Sequence, residues 1–138
     1  MNYTLEVIPV PVADLDRAKN FYMAQAGFVL DVDYAPNPDF RLIQLTPPGS
    51  GCSIQLEVGT GRHTGLCLVV TDLVRAGREL GDRGVTVDNI RHKASLPDWQ
   101  GDWAPGVDPE RRDLASFADF HDPDGNAWVL QERGFSGS

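Results

Sequence analysis

The sequence predicts an α+β fold made of two βαβββ modules, and three observations support it. A seven-residue segment occurs twice, each copy opens an amphipathic helix behind a strand-like apolar run, and each half ends in two strands joined by a proline-containing turn. The 138 residues fit one domain, with module one at residues 1–60 and module two at residues 64–134. Two mixed sheets with one helix each bury their apolar faces by curling, so we expect cupped sheets around a cavity.

The repeated segment defines the start of both helices. Residues 12–18 (VADLDRA) and residues 70–76 (VTDLVRA) share five of seven amino acids. Asp14 and Asp72 are candidate N-caps, because their carboxylates can accept from the free N–H groups of the first turn. Gly27 and Gly84 are predicted to end the helices in a left-handed conformation. The apolar residues of the two helices recur at helical spacing: Leu15, Ala18, Phe21 and Tyr22, then Leu73, Ala76 and Leu80.

Strands follow each helix, and their turns repeat as well. β-rich runs occur at residues 28–32 and 85–88. Turns at residues 47–50 and 122–125 separate the final strand pairs. We predict those strands at residues 41–46, 52–58, 116–120 and 127–132. The additional length of the second half falls in one segment, residues 92–114.

Composition restricts the partners. Twelve basic against twenty acidic residues give a net charge of −8, which repels a phosphate backbone and argues against nucleic acid. The apolar runs are strand-sized, which argues against a membrane span, and residues 1–4 lack the features of a secretory signal. We therefore expect a cytoplasmic protein in which Cys52 and Cys67 are buried, unpaired thiols.

Two segments resemble the vicinal-oxygen-chelate superfamily, which includes glyoxalases, bleomycin-resistance proteins and extradiol dioxygenases. They are residues 12–22 (VADLDRAKNFY) and residues 120–126 (FHDPDGN). The internal repeat extends the resemblance over nearly the whole chain. It implies cupped sheets around a ligand cavity, and a homodimer, because two-module members are usually homodimers.

The resemblance also implies where a metal site would lie. Metal-binding members take a His from the first strand of each module and a Glu from the last strand, and glyoxalases add a Glu from the last strand of the first module. On this chain these positions fall on Val7, Leu66, Val129 and Gln55, with Ile54 replacing Gln55 if the internal repeat sets the register. Aliphatic groups cannot donate lone pairs to a transition metal. We expect no metal and no other cofactor.

Candidate ligand contacts lie in the long segment and on the strands. Loops of this length are usually functional or disordered. Trp99 and Trp103 are predicted either to stack on a planar or cationic ligand or to pin the loop or form the dimer contact. His92 follows the strand predicted to end at Arg91 and is a candidate for lining the cavity.

Further candidates come from module one. Arg41 is either an anion clamp in the cavity or an ion-paired residue, and Phe40 and Gln55 join the predicted ligand-binding set. Residues 108–113 form a charged turn that we interpret as solvated surface. No serine or cysteine nucleophile with a partnered base is recognisable, so catalytic residues are unknown.

The leading functional interpretation is metal-independent binding of a small organic molecule. Missing metal donors and a Trp-bearing segment favour sequestration of an aromatic or cationic compound, as in bleomycin resistance and other antibiotic resistance. One alternative is an enzyme acting in the same cavity, a lyase, isomerase or dioxygenase-like protein that is metal-free or uses unforeseen ligands. A module that binds only a protein partner is the third interpretation. The sequence leaves open whether a reaction is catalysed.

Overall fold

The computed structural model describes residues 1–94 and 102–137. Its contacts divide the chain into two compact units. Unit 1 comprises Met1–His63 and Asp122–Asn126, and unit 2 comprises Thr64–His121 and Ala127–Ser138. The second proline turn therefore groups with unit 1, although the strands on both sides of it belong to unit 2.

Unit 1 is a four-stranded sheet with one helix. The strand order is β1-β4-β3-β2, with β1 parallel to β4 and the other pairs antiparallel. The helix α1 continues as a π-helical turn, Phe21–Gln25. The remaining elements are β1 (Val7–Val12), α1 (Leu15–Asn20), β2 (Val29–Asn37), β3 (Phe40–Thr46) and β4 (Ser53–Val58).

Unit 2 repeats this order and adds a strand. The strand order is β5-β9-β8-β6-β7, with only β5 and β9 parallel. The elements are β5 (Leu66–Val70), α2 (Leu73–Asp82), β6 (Asp88–Lys93), β7 (Trp103–Pro105), β8 (Ser116–His121) and β9 (Ala127–Glu132). The predicted α+β class with two mixed sheets is confirmed. Two details were wrong: β6 begins at Asp88 and includes His92, and the segment predicted as a loop contains β7.

The predicted helix boundaries are confirmed by their capping geometry. The carboxylates of Asp14 and Asp72 each accept a hydrogen bond of 3.1 Å from the backbone N–H three residues later. Gly27 and Gly84 have φ values of 80° and 89°, which only glycine adopts without strain. The same local chemistry therefore sets the start and the end of both helical segments.

Each sheet has one face against its own helix, which we call the helix face. In unit 1 its centre is apolar and buried, and Arg41 lies at its edge. Strand alternation puts the intervening residues on the opposite side, the open face, where Gln44 and Gln55 are partly exposed. In unit 2, Trp128 and Leu130 lie on the helix face, whereas Val129 lies on the open face. The core of the helix face in unit 1 is formed by Val10, Val12, Ile43, Leu45, Ile54 and Leu56.

The second proline turn anchors several parts of unit 1. Asp122 is buried and accepts from the Tyr22 hydroxyl at 2.7 Å. Asn126 has no exposed surface, and its amide donates to the Pro11 carbonyl at 2.9 Å. Its side-chain oxygen accepts from the His63 backbone at 2.7 Å. These bonds give the motif at residues 122–126 a structural role in unit 1.

The charged turn at residues 108–113 is not a solvated surface, which corrects the sequence interpretation. Asp108 is 1% exposed and is held by Arg112, with N–O distances of 2.8 and 3.0 Å. Arg111 donates to Glu132, which is also 1% exposed, at 2.9 and 2.5 Å. Charged side chains are rarely buried unless they are paired. The Arg111–Glu132 pair joins the segment after β7 to β9, and the Asp108–Arg112 pair closes the turn on itself.

No helix in the described part of the chain is both long and apolar enough to cross a bilayer.

Candidate functional site

An aromatic pair lies on the open face of unit 2. Trp103, on the edge strand β7, is 47% exposed. Its ring centroid is 5.1 Å from that of Phe117, and the rings meet edge to face at 86°. Trp103 pairs with Lys93 across β6, and Arg91 pairs with Phe117 across β8, which puts all four side chains on one face. We call these four residues the basic-aromatic cluster.

Two cations lie against the rings of this cluster. The Lys93 ammonium nitrogen is 4.3 Å from the Trp103 ring centroid. The Arg91 guanidinium carbon is 5.0 Å from the same centroid and 5.6 Å from that of Phe117. Arg91 is fixed by Asp119 at 3.0 Å and by the Asn89 carbonyl at 2.9 Å. The arrangement places two cationic side chains beside exposed aromatic area, and cations at these distances interact favourably with the rings.

The surface beside the cluster is apolar and weakly polar. Gln131 pairs with Phe117, and Cys67 pairs with Val129 on the same open face. The Cys67 thiol lies 3.6 Å from the Gln131 side-chain oxygen, and partial burial raises the pKa of that thiol. Cys67 is exposed as a residue, so its prediction as a buried thiol was wrong. A protonated thiol at this position contacts a ligand as a small, nearly apolar group.

The open face of unit 1 is different, because it carries uncharged hydrogen-bonding groups. Gln44 and Gln55 are direct partners across β3 and β4. The hydroxyls of Thr46 and Ser53 are 2.6 Å apart, and Thr46 also bonds to Asp31, which lies at an irregularity of β2. An ionised Asp31 can only accept, so Thr46 donates to it and Ser53 donates to Thr46. Because Ser53 is buried, this chain of hydroxyl contacts joins β2, β3 and β4.

The residues at the superfamily's metal positions do not fit a transition metal. Val7 and Val129 lie on open faces but have only hydrocarbon side chains. Gln55 lies on the open face of unit 1 and offers a neutral amide. In the part of the chain that the structure describes, no group of three or more His, Cys, Asp or Glu side chains is arranged to hold a metal ion. Aliphatic side chains offer no donor, and a single amide does not make a metal site.

Strand register corrects one of these assignments and decides between the alternatives of another. Leu66 pairs with Trp128 and so lies on the helix face of unit 2, which is the wrong face for the predicted position. When the two copies of the repeated segment are aligned, Val7 matches Gly65, which also has no side-chain atom that could bind a metal. The alternative Ile54 is 3% exposed on the helix face of unit 1, so Gln55 is the open-face residue. A shift of one residue inverts the face, which explains the error at Leu66.

Arg41 does not lie on the open face, which corrects its prediction as an anion clamp. It shares the helix face with Ile43 and bonds to Asp33 at 3.0 Å and to Asp16 at 2.8 Å. Hydrogen bonds from Arg41, and then from Lys19, hold the pKa of Asp33 well below its usual range. Arg41 is the ion-paired residue that the sequence offered as the alternative.

The remaining predicted site residues divide between the faces. His92 lies opposite Arg91 and Lys93 on β6, and its Nδ1 donates to the Gly106 carbonyl at 2.9 Å. It therefore does not share a face with Trp103. Phe40 is 51% exposed at the first position of β3. Trp99 lies outside the described residues.

Solved structures share this fold over nearly the whole chain. TnmS3, an antibiotic binding protein from Streptomyces sp. CB03234, is 28% identical, with 96% of this chain and 97% of that chain covered and a TM-score of 0.71. A glyoxalase/bleomycin resistance protein from the same strain is 29% identical, with 94% and 100% covered and a TM-score of 0.67. A member of the glyoxalase/bleomycin resistance protein/dioxygenase superfamily from Sphaerobacter thermophilus DSM 20745 is 24% identical, with 96% and 98% covered and a TM-score of 0.70. No protein-family model and no curated protein matches the chain.

Proposed function

We propose that this chain, which belongs to the glyoxalase/bleomycin resistance protein/dioxygenase superfamily, binds a small aromatic molecule on the open face of unit 2 without a metal ion. The observation that carries the proposal is the half-exposed Trp103, held edge to face against Phe117. An indole fixed on a sheet by a second ring is preorganised, so stacking a ligand on it costs little side-chain entropy. Covering about 100 Å² of apolar surface contributes about 2.5 kcal/mol.

The proposal of metal independence rests on the donor set. Because Val7 and Val129 offer no lone pairs and Gln55 offers a neutral amide, the ligand must be held by stacking, apolar contact and hydrogen bonds. Two of the similar structures are an antibiotic binding protein and a bleomycin resistance protein. They support sequestration of an antibiotic as the biological role. The homodimer and the cytoplasmic location remain predictions.

The proposal is tested by screening aromatic antibiotics for a shift in the unfolding midpoint, followed by calorimetric titration of the ligands found. A ligand at 100 times its Kd stabilises by about 2.7 kcal/mol, a midpoint rise on the order of 10 °C for a chain of this size. Trp103→Ala is expected to weaken binding at least tenfold, whereas Trp103→Phe retains part of it. Recovery of the ligand unchanged separates binding from the enzymatic alternative.

The matched control is Val74→Ala. Val74 is 42% exposed on α2, so its truncation removes exposed apolar surface away from the cluster. We expect unchanged affinity in this variant. Wild-type affinity in Trp103→Ala would overturn the proposed site.

A further inference from the structure

We infer that this chain associates with a second copy of itself through residues 1–6, which we call the arm, and that the arm adds as a strand to the outer edge of β5 in the other copy. The inference goes beyond the proposed function and does not depend on a ligand. It rests on two features of the described residues. One is an exposed segment with the pattern of a half-buried strand, and the other is a sheet edge without the protection that the other edges have.

The arm has the sequence pattern of a strand but lies outside every helix and strand of this chain. Its apolar and polar residues alternate, which is typical of a strand with one buried face. Tyr3 and Leu5 are nevertheless 87% and 70% exposed, so this chain does not bury that face. The Glu6 carbonyl accepts from the Ser53 N–H at 2.8 Å, so the arm continues directly from β1. An arm that keeps the alternation of β1 presents Tyr3 and Leu5 on the side of Val7, the open face of unit 1.

The outer edge of β1 is protected against a further strand. The Glu6 carbonyl faces β4, so the backbone groups of the odd-numbered residues of β1 point outward. Two of these residues are Pro9 and Pro11, which have no N–H to donate. Their carbonyls already accept from the His63 ring at 2.6 Å and from the Asn126 amide at 2.9 Å.

Two more of the four sheet edges in the described residues are also protected. β2 contains Pro36 and has two irregularities in its pairing with β3. β7 is three residues long, and its Pro105 points outward because the N–H of the next residue, Gly106, bonds to Ile90 on the β6 side. Prolines, irregularities and short edge strands are the usual means by which proteins prevent edge-to-edge pairing.

The edge of β5 has none of these features. β5 is an outermost strand of its sheet and contains no proline, and no strand of the described residues pairs with its outer side. The Val70 carbonyl accepts from the Arg133 N–H at 2.9 Å, so the backbone groups of Val70 face β9 and those of Cys67 and Val69 point outward. Both of these side chains are exposed on the open face of unit 2. An unprotected edge of this kind is a template for a further strand.

The arm and the edge fit each other as an antiparallel pair. In such a pair, opposite residues that exchange hydrogen bonds have their side chains on the same face. Placing Leu5 opposite Cys67 puts Tyr3 opposite Val69, so both outward residues of β5 are used. The largely apolar open faces of the two copies then become continuous. A parallel pair would instead put Tyr3 and Leu5 on the helix face of unit 2.

The other side of the arm is polar, and so is the surface beside β5 that would receive it. The even-numbered residues of the arm are all polar. A cavity of about 410 Å³ lies between the end of β5 and α2, and its lining includes Asp72, Arg75 and Glu79. The two sides of the arm therefore match the two sides of the β5 edge in polarity.

The area that the exchange covers is large enough for a stable dimer. An aromatic side chain buries about 150–250 Å². Tyr3 alone therefore accounts for about 600–1,000 Å² when both arms and the surfaces that receive them are counted. Leu5 and the arm backbone bring the total into the range of stable interfaces, about 1,200–2,000 Å². We expect the exchange to be reciprocal, because it then leaves neither an exposed arm nor an open edge.

The first test is a disulfide between copies. Residues that exchange hydrogen bonds in an antiparallel pair have Cα atoms about 5.5 Å apart, which is within the range for a disulfide. In a Cys52→Ser background, Leu5→Cys should form a covalent dimer with Cys67 of the partner subunit on mild oxidation, seen on a non-reducing gel. Adding Cys67→Ser should abolish this dimer. The matched control is Thr4→Cys, whose side chain points to the other side of the arm and should cross-link at least tenfold less.

The second test is the molar mass in solution, measured by sedimentation velocity. Wild type should have twice the 15.1 kDa of one chain. Val69→Pro removes an N–H that the sheet does not use, and Leu5→Asp places a charge on the apolar side of the arm. Each should weaken the association at least tenfold. The control Val29→Asp makes the same charge change at a residue that is 54% exposed on β2 and should leave the association unchanged.

The outcomes decide the inference in either direction. A monomeric wild type overturns it. An unchanged dimer in Leu5→Asp, together with no cross-link from Leu5→Cys, shows that the copies meet elsewhere and also overturns it. A Leu5→Cys disulfide that forms within one chain assigns the arm to its own copy, with the same consequence. Because the arm lies outside the sheets, Leu5→Asp remains informative if Val69→Pro does not fold.

Discussion

The two units share one order of strands and helix, yet they hold their charged side chains differently. In unit 1, Arg41 and Lys19 pair with Asp33 at the edge of the helix face, and all three side chains keep between 21% and 28% of their surface exposed. In unit 2, Glu132 and Asp108 are each 1% exposed and fully paired. Both pairs involve the segment after β7, which has no counterpart in unit 1: Arg111–Glu132 joins it to β9, and Asp108–Arg112 lies within it.

The buried ion pairs of unit 2 show how its longer segment after β7 is held in place. Glu132 accepts from Arg111 and from the backbone of Leu73, so it joins the segment to β9 and to the start of α2. Asp108 accepts from Arg112, and its own N–H donates to Ser116 on β8. The chain that leaves Trp103 is thus fixed within a few residues on its C-terminal side.

The largest expected effect tests whether burial makes these ion pairs important. Arg111→Ala leaves Glu132 buried with only a backbone partner, which costs about 3–5 kcal/mol and lowers the unfolding midpoint by 10 °C or more. The control Arg75→Ala removes an arginine that is 74% exposed and should cost about 0.5 kcal/mol or less. Urea unfolding measures both. Equal costs for the two variants would remove the distinction between the units.

A second, smaller effect is the loss of stability at acidic pH that results from protonation of Asp108. The hydrogen bond from Arg112 lowers the pKa of Asp108 from 3.8 to about 2. Because the folded-state pKa is the lower one, the unfolded chain binds more protons between pH 4 and pH 2, and the stabilisation is present above pH 4 and lost as the pH falls through 2. The difference in free energy of unfolding between wild type and Asp108→Asn should therefore fall by about 1–2 kcal/mol between pH 4 and pH 2.

The equivalent variant in unit 1 sharpens the comparison. Arg41 and Lys19 also hold the pKa of Asp33 below its usual range, so Asp33→Asn should change the acid dependence in the same direction. Its contribution should be smaller than that of Asp108, since its side chain is more exposed and water screens the pair. Urea unfolding between pH 4.5 and 2 measures both slopes. A steeper change for Asp33→Asn would reverse the assignment of the stronger pair to unit 2.

The fold was predictable because its signals are local. Asp14, Asp72, Gly27 and Gly84 act through backbone hydrogen bonds and φ values within a few residues of themselves, and the internal repeat showed them twice. The positions that failed depend on register. The predicted metal position fell on Leu66, one residue away from a position on the open face. The sequence of a helix does not show which face of a neighbouring strand the helix will cover.

The candidate site was only partly predictable, because sequence distance hides its members. Trp103 was identified from its residue type, but Arg91, Lys93 and Phe117 were missed. Their signal was the i, i+2 spacing of Arg91 and Lys93, which becomes visible once β6 is extended past His92. The burial of Asp108 could not be predicted either. An acidic residue in a charged segment is usually exposed, and the sequence does not indicate that Arg112 pairs with it.

The last comparison concerns a buried carboxylate of unit 1 that is held by neutral donors, in the second proline turn. Tyr22 has no exposed surface, and its hydroxyl donates to Asp122 at 2.7 Å. In Tyr22→Phe the same carboxylate oxygen still accepts from the Asn126 amide at 2.8 Å, so no buried acceptor is left without a partner. The cost should therefore be that of one hydrogen bond to a charged group, about 1.5 kcal/mol, well below that of Arg111→Ala. Tyr34→Phe, at a residue that is 57% exposed, should be nearly neutral and serves as the control. A loss of 3 kcal/mol or more in Tyr22→Phe would mean that the Asn126 amide does not compensate for the missing hydroxyl.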